Sequence, residues 1–273
     1  MNNDFLKIVD LALAEDLGAG DVSASLLPDE QVSATIVCRE SAVICGIELA
    51  QLAFKTLDSD LKITWQVKDG ELVNSNQILA VLSGSSRAII SAERVALNFL
   101  QTLSAVATQT KLLSDKIIHT KAQLLDTRKT LPGLRLAQKY AVKCAGGVNH
   151  RLGLYDCIML KENHIAAFGG IAKAVKKAVE SYPELDLIVE VETLDQLTEV
   201  LALNGVTRVL CDNFSHQALI QAVQMSDGKL PIEASGNIDM DTLVATAETG
   251  VDFISTGSIT KNIQAIDLSL RFS

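Results

Sequence analysis

No Cys-x-x-Cys pair occurs among the five cysteines of this 273-residue chain, Cys38, Cys45, Cys144, Cys157 and Cys211. Their number is odd and their spacing wide, which excludes a zinc knuckle or a CxxC redox pair and points to free thiols. No apolar run is long enough to span a bilayer. The opening residues, MNNDFLKIVD, lack the basic start and apolar core of a secretory leader, so a cytoplasmic protein is expected. No Gly-x-Gly-x-x-Gly follows the first strand-like run, which disfavours a dinucleotide fold. Positive charge is scarce too: 24 Lys and Arg face 33 Asp and Glu, for a net charge of -9. That balance speaks against a general nucleic-acid binder, which needs a broad basic surface. A small anion in a local basic pocket is still allowed. The composition is ordinary for a globular chain, at 48% apolar and 21% charged, and it can bury the core of one large α/β domain or two smaller ones.

What positive charge there is gathers in one place. Between Arg128 and Lys161 stand seven basic residues (Arg128, Lys129, Arg135, Lys139, Lys143, Arg151, Lys161) and one acid, Asp156. Lys139 and Lys143 read as a solvated helix face. The others sit in DTRKTLPGLR and GGVNHRLG, stretches rich in turn residues. Arginine offers a planar fork for carboxylate or phosphate, and lysine a compact point charge. Several of each suit a ligand with several anionic groups.

Along the chain, residues 4–17 carry a helical apolar stripe. ATIVCRE, AVICG and LKITWQV then read as short strands. Asp69-Gly70 is a turn signal that predicts a hairpin. A long amphipathic helix is expected from about Ser91, which can cap it, to Leu113. Beyond it, short apolar runs at 122–127, 156–161, 185–192, 207–213, 230–236 and 251–257 alternate with helical stretches. Continuously apolar strands alternating with helices mark a parallel sheet covered by helices, and the number of units favours a barrel over an open doubly wound sheet.

Polar groups recur at the C-terminal ends of these strands: Asp126 with Arg128, Lys161, Glu190 with Glu192, Asp212, Glu233 with Ser235, and Thr256. In a barrel those ends converge on one mouth, where sites are built. Arg128 and Lys129 are adjacent, so both can reach one ligand only if the backbone turns. Glu190 and Glu192 stand two apart and face the same side of a strand. Carboxylates beside polyanion-binding cations suit sugar hydroxyls or magnesium bridged by phosphates. EASGNI and STGSIT each place a small loop after a strand, where backbone N–H groups can cradle phosphate. No activated serine is recognisable, and His150 reads equally as hydrogen-bond donor or general acid. The residues alone describe an enzyme for a phosphorylated sugar and a second anionic molecule.

The chain resembles the quinolinate phosphoribosyltransferase family (carboxylating nicotinate-nucleotide pyrophosphorylases) through AEDLGAGDVSASLL, SAERVALNFLQTLSAVAT, DTRKTLPGLRLAQKYAVKCAGGVNHRLGLYD, KENH, VEVE, CDNF, EASGNI and STGSIT. The resemblance spans essentially the whole chain. It implies an N-terminal α/β sandwich domain over residues 1–110, joined by the tail 262–273, and an incomplete α/β barrel of seven-stranded type over 111–261. It also implies a homodimer and transfer of phosphoribose from 5-phosphoribosyl 1-pyrophosphate to quinolinate with loss of CO2. The products are nicotinate mononucleotide and pyrophosphate, a step of de novo NAD biosynthesis.

Carried over by position, the resemblance implies that Arg128, His150 and Arg151 bind the two quinolinate carboxylates, with Arg94 contributed across the dimer interface. Lys129 and Lys161 would contact anionic groups of the ligands. Glu190 and Asp212 would face the ribose hydroxyls and magnesium, with Glu192 an equally placed candidate. The Mg2+ would be carried by pyrophosphate near Glu190 and Asp212, with none held by protein alone. Ser235, Gly236, Asn237, Gly257 and Ser258 would hold the 5′-phosphate. Lys129, Lys161, Glu190 and Asp212 are the residues implied to act in catalysis. The sequence departs from the family pattern at Ala145 (a glycine there), at Glu162 (aspartate) and at Ala105 (glycine). A ModD-type relative associated with molybdate transport shares the fold and many of these residues, with a different acceptor. A non-catalytic phosphoribosyl-pyrophosphate-binding dimer is the alternative outside enzymology.

Overall fold

A computed structural model describes residues 3–272 of the chain. Met1 and Asn2, in the opening stretch considered above, and Ser273, in the C-terminal tail, lie outside the described residues. In chain order the first elements are α1 (Asn3–Leu17), β1 (Gln31–Cys38), β2 (Ala42–Val43), α2 (Ile47–Leu57), β3 (Lys62–Trp65), β4 (Leu72–Val73), β5 (Gln77–Ser85) and α3 (Ser86–Lys116). There follow β6 (Gln123–Leu125), α4 (Arg135–Cys144), β7 (Ile158–Leu160), α5 (Glu162–Phe168), α6 (Ile171–Ser181), β8 (Leu187–Val191) and α7 (Leu194–Leu201). The last are β9 (Arg208–Asp212), α8 (His216–Ser226), β10 (Ile232–Ser235), α9 (Leu243–Ala247), β11 (Phe253–Ser255), α10 (Ser258–Lys261) and β12 (Leu268–Phe272).

The chain divides into two compact units. One holds the residues up to Lys111, the segment 131–146 and everything from Asn262 onward; the other holds Leu112–Thr130 and Gly147–Lys261.

The first unit is built on an antiparallel sheet of order β12-β1-β5-β3. Along β1 the alternate residues Ala34, Ile36 and Cys38 are buried, as the period of two requires when one face of a sheet is covered. Phe5, Val9 and Leu13 of α1, four apart, form the buried stripe expected of that helix. Asp69-Gly70 does not close a hairpin. β4 pairs with β2, while β3 pairs with β5 beyond it. The reason lies in the aspartate, whose carboxylate accepts the Ile47 N–H at 3.1 Å and the Tyr140 hydroxyl at 2.8 Å. It satisfies the start of α2 and so belongs to a longer connection.

Helix α3 begins at Ser86 rather than at Ser91. Ser85 supplies the cap, its hydroxyl accepting the Ala88 N–H at 3.2 Å. Ser91 lies inside the helix, and its hydroxyl donates to Asp21 at 2.9 Å. Asp21 also accepts the N–H groups of Ser23 and Ala24, both at 2.9 Å. The Ala24 N–H, then the Ser91 hydroxyl, hold its carboxyl below the usual range. Lys139 of α4 is another difference from expectation, for it is buried at 1% exposure while Lys143 is exposed.

The second unit carries a six-stranded sheet of order β6-β11-β10-β9-β8-β7, and every neighbouring pair is parallel. A parallel bridge, Leu125 to Val148, adds a further contact beside β6. Leu187, Ile188, Val189 and Val191 of β8 are all buried, the continuous pattern of a strand covered on both faces. Thr193 and Ser215 cap α7 and α8 by accepting the N–H groups of Gln196 and Ala218, each at 3.2 Å. The α/β class and the split between an N-terminal sheet unit and a parallel-strand unit match the sequence expectation.

Candidate active site

The C-terminal ends of the parallel strands carry the cations and anions singled out above. After β6 the chain reads Asp126-Thr127-Arg128-Lys129. Asp126 is fully buried and accepts the His150 N–H at 2.8 Å and the Asn149 side-chain amide at 2.6 Å. It thereby ties the Asn149-His150-Arg151 loop to the end of β6. The backbone turns at once. Lys129 N–H donates to the Thr127 hydroxyl at 3.0 Å, Thr130 N–H to the Arg128 carbonyl at 3.0 Å, and the Thr260 hydroxyl to the Lys129 carbonyl at 2.8 Å. This is the turn that two adjacent side chains need to serve one ligand.

Lys161 follows β7 and forms an ion pair with Glu190 of β8. The Glu190 side chain is 10% exposed, that of Lys161 40%. Asp212, the last residue of β9, accepts the Asn213 side-chain amide at 2.8 Å. Glu192 is exposed and sits one residue past the end of β8, so the strand alternation that pairs it with Glu190 no longer governs it.

The loop after β10 holds Ser235, Gly236 and Asn237. Gly236 has φ +97°, and a Cβ there would come within 2.9 Å of the Asn213 backbone nitrogen and closer still to its side-chain oxygen. Only glycine fits. Asn213 and Asn237 also take positive φ, 56° and 50°, and the Asn237 amide donates to the Asn213 side-chain oxygen at 3.2 Å. Two loops from neighbouring strands are thus interlocked. After β11, Ser258 N–H donates to the Thr256 hydroxyl at 3.2 Å, and a Cβ on Gly257 would lie 2.9 Å from Lys129 Cδ. Gly257 therefore lets the Lys129 stem cross its backbone. A cavity of about 230 Å³ borders Asn213, Ser235, Gly236 and Asn237. Another, of about 350 Å³, borders Asn149, His150, Arg151 and Arg208.

The electrostatics favour an anion. Burial first, and then the nearby charge of Arg128, lower the Arg151 guanidinium below its usual value. Two cations that disfavour each other's charge are relieved by a negative ligand. Glu233 of β10 is fully buried. Burial pushes it toward the neutral acid, yet His150, Ser255 and Arg208 together outweigh that and hold its carboxyl below the usual range. The Arg208 guanidinium donates to Glu233 at 2.9 Å and lies 4.3 Å over the Phe253 ring.

Of the residues expected from the sequence, Glu190, Asp212 and Ser235 lie in the last residues of β8, β9 and β10, Arg128, Lys129, Lys161, Gly236, Asn237, Gly257 and Ser258 follow strand ends of the second unit, and His150 and Arg151 lie on the loop braced by Asp126. Arg94 is exposed on α3 in the first unit. Sequence reasoning gave no task to Asp126 and Glu233 and passed over Arg208. A carboxylate at the end of an apolar run was the available signal for the first two. Nothing in the pattern marked the arginine.

Among the described residues no group of three or more His, Cys, Asp or Glu side chains is arranged to hold a metal ion. Glu190 and Asp212 together are the donor set that suits magnesium, which is bound by one or two carboxylates along with substrate phosphates.

Residues 21–104 match the family described as quinolinate phosphoribosyl transferase, N-terminal domain, and residues 106–271 its C-terminal domain. The chain is 40% identical to a chloroplastic carboxylating nicotinate-nucleotide pyrophosphorylase of Arabidopsis thaliana, over 98% of this chain and 82% of that one. It is 36% identical to a probable enzyme of the same name from Bacillus subtilis, over 97% and 92%. The solved structure of the nicotinate-nucleotide pyrophosphorylase from Francisella tularensis is 47% identical and superposes with a TM-score of 0.97, covering 100% of this chain and 98% of that one.

Proposed function

The chain belongs to the quinolinate phosphoribosyltransferase family, and we propose that it transfers phosphoribose from 5-phosphoribosyl 1-pyrophosphate to quinolinate with decarboxylation. The products are nicotinate mononucleotide, pyrophosphate and CO2, which places the enzyme in de novo NAD biosynthesis. The observation that carries the reading is the pairing of opposite signs on one set of strand ends. Arg128, Lys129 and Arg151 suit anionic groups, while Glu190 and Asp212 suit the hydroxyls of a ribose.

The chemistry follows from those charges. Arg128 and Arg151, with Arg94, bind the acceptor's two carboxylates and fix the ring. Ser235, Gly236, Asn237, Gly257 and Ser258 hold the 5′-phosphate, so the anomeric carbon is anchored from the other side. As pyrophosphate departs, positive charge grows at the anomeric carbon and negative charge on the leaving group. Glu190 and Asp212 face the first, and Lys129 and Lys161 the second. Glu190 and Asp212 would hold Mg2+ together with the substrate's phosphates, and the ion would supply neutralising charge for the leaving group. Attack by the pyridine nitrogen makes the ring cationic, and the adjacent 2-carboxylate then leaves as CO2 because the ring holds the electron pair as an ylide. The 3-carboxylate remains, bound by its arginines.

The departures from the family pattern fit the same activity. Ala145 takes φ −96°, where any residue sits without strain. Ala105 is a helix-favouring residue inside α3, and Glu162 keeps an acid in the first turn of α5. A homodimer with Arg94 contributed across the interface, and residence in the cytoplasm, belong to this reading. The exposure of Arg94 supports the first, and the five free thiols support the second. The test is an acceptor panel with purified protein, Mg2+ and phosphoribosyl pyrophosphate. Quinolinate should be used in strong preference to nicotinate. A protein that binds the sugar donor yet turns over only another pyridine or pyrimidine carboxylate would overturn the assignment in favour of the ModD-type reading.

A further inference from the structure

We propose that Asp126 is a positioning residue that fixes the spacing between the two arginine-bearing segments of the site, so that they receive an acceptor with two neighbouring carboxylates. The proposal rests on the phosphoribosyl-transfer reading above. Its geometry begins with a ladder that stops short. Leu125 and Val148 form a parallel bridge: the Val148 N–H donates to the Leu124 carbonyl at 2.9 Å and the Asp126 N–H to the Val148 carbonyl at 3.2 Å. The next rung of a parallel ladder would run from the His150 N–H to the Asp126 carbonyl. It runs to the side chain instead. Asp126 Oδ1 accepts the His150 N–H at 2.8 Å, and Oδ2 accepts the Asn149 side-chain amide at 2.6 Å. The carboxylate thus continues the pairing while the main chain after β6 turns away through Thr127 and Arg128. Arg128 lies two residues beyond this carboxylate, and Arg151 one residue beyond His150. Downstream the same loop is held by Asp156, which accepts the Leu152 N–H at 2.7 Å and the Gly153 N–H at 3.0 Å.

A fully buried carboxylate is costly, and a backbone carbonyl could serve the rung without it. What the side chain adds is a firm offset between two segments that repel. Arg128 disfavours the charge on Arg151, so the two guanidinium groups push their segments apart until an anion lies between them. Hydrogen bonds to an ionised acceptor are roughly twice as strong as neutral ones, so the carboxylate resists that push better than a carbonyl. Cations held at a set spacing before the ligand arrives also lose less freedom on binding it. That spacing matters most to a ligand with carboxylates on adjacent ring carbons and least to one with a single carboxylate. Asp126 itself is buried and acts through Asn149, His150 and the turn that carries Arg128.

Binding of two simple probes separates this role from support of the fold. One is benzene-1,2-dicarboxylate, which has the carboxylate spacing of quinolinate and no ring nitrogen; the other is benzoate, with a single carboxylate. Isothermal titration calorimetry gives the Kd of each. In Asp126→Ala the preference for the dicarboxylate over benzoate should shrink about tenfold. The KM for quinolinate should rise to match, with the KM for phosphoribosyl pyrophosphate within about twofold of its original value. Asp126→Asn keeps an acceptor for the His150 N–H, and the Asn149 amide can turn round to present its oxygen, so most of the preference should survive. A residue that only supports the fold would weaken both probes and both substrates in parallel. Should Asp126→Ala fail to fold, Asn149→Ala removes one of the two bonds, leaves the carboxylate on the His150 N–H, and should shrink the preference about threefold. No preference for the dicarboxylate in the unmodified protein, an unchanged preference in the folded variant, or a loss in Asp126→Asn as large as in Asp126→Ala would overturn the proposal. Failure of the unmodified enzyme to use quinolinate would instead overturn the functional reading, and the comparison of dicarboxylate with benzoate would still decide this one.

Discussion

Arg128 and the glutamate pair give the most direct tests at the level of single side chains. Arg128→Ala leaves a substrate carboxylate unpaired, which costs about 2–5 kcal/mol. The kcat/KM for quinolinate should fall accordingly, and steady-state kinetics with each substrate varied in turn will show it. Glu190 is nearly enclosed and paired with Lys161, whereas Glu192 is exposed beyond the strand. Glu190→Gln should therefore lower kcat on the order of a hundredfold, and Glu192→Gln should stay within about twofold, as surface changes do. Similar losses from both would contradict the placement of the ribose beside Glu190. The sequence pattern put both glutamates on one face and could not separate them, because where a strand stops depends on its partners and not on its own alternation. The thiols differ for equally local reasons. The Cys45 thiol hydrogen-bonds to Cys144 and, against burial and with help from Tyr140, lowers it to about 7, while burial pushes Cys211 up to about 12. Brief alkylation near neutral pH, followed by peptide mass spectrometry, should label Cys144 well before Cys211.

Among the secondary elements, the loop between β10 and α9 depends on one glycine. Gly236→Ala would force a left-handed conformation on a residue with a side chain and drive it into Asn213, at a cost of roughly 1–3 kcal/mol. The KM for phosphoribosyl pyrophosphate should rise while that for quinolinate changes little, if this loop holds the phosphate. The apolar strands of the second unit were legible in advance, since Leu187–Val191 and Arg208–Asp212 fall inside the runs read as strands. So were the loops carrying Arg128, Lys161 and Asp212. Asp69-Gly70 and Ser91 were misread for one shared reason. Asp69 caps α2, which lies before it in the chain, and Ser91 answers Asp21, seventy residues earlier. Local signals of turn and cap chemistry say that a hydrogen bond is needed but not which distant group will supply it. The Asp126 brace on the Asn149-His150-Arg151 loop escaped for the same reason.

At the scale of the whole molecule, the buried Glu233 ties stability to pH. Its folded-state carboxyl lies below its ordinary value of 4.5, so its charge contributes stability that is complete above that value and is lost as pH falls through the lower folded value. Urea midpoints of the unmodified protein and Glu233→Gln should differ most at neutral pH and converge below about pH 4.5. An undiminished gap at about pH 3 would count against the assignment of charge. If Arg94 serves the site of a second subunit, mixing inactive Arg94→Ala with inactive Arg128→Ala protein should regenerate activity, because a mixed dimer holds one site with both arginines. No recovery after subunit exchange would mean that Arg94 acts within its own chain. The claim on which all of this depends is that transfer and decarboxylation occur together on quinolinate. It is tested by supplying quinolinate labelled separately in each carboxylate, with phosphoribosyl pyrophosphate and Mg2+, and following CO2 and mononucleotide. Label from the 2-carboxylate should appear as CO2 in one-to-one ratio with nicotinate mononucleotide, and label from the 3-carboxylate should remain in the nucleotide. A mononucleotide that retains both labels, or no nucleotide at all, would contradict it.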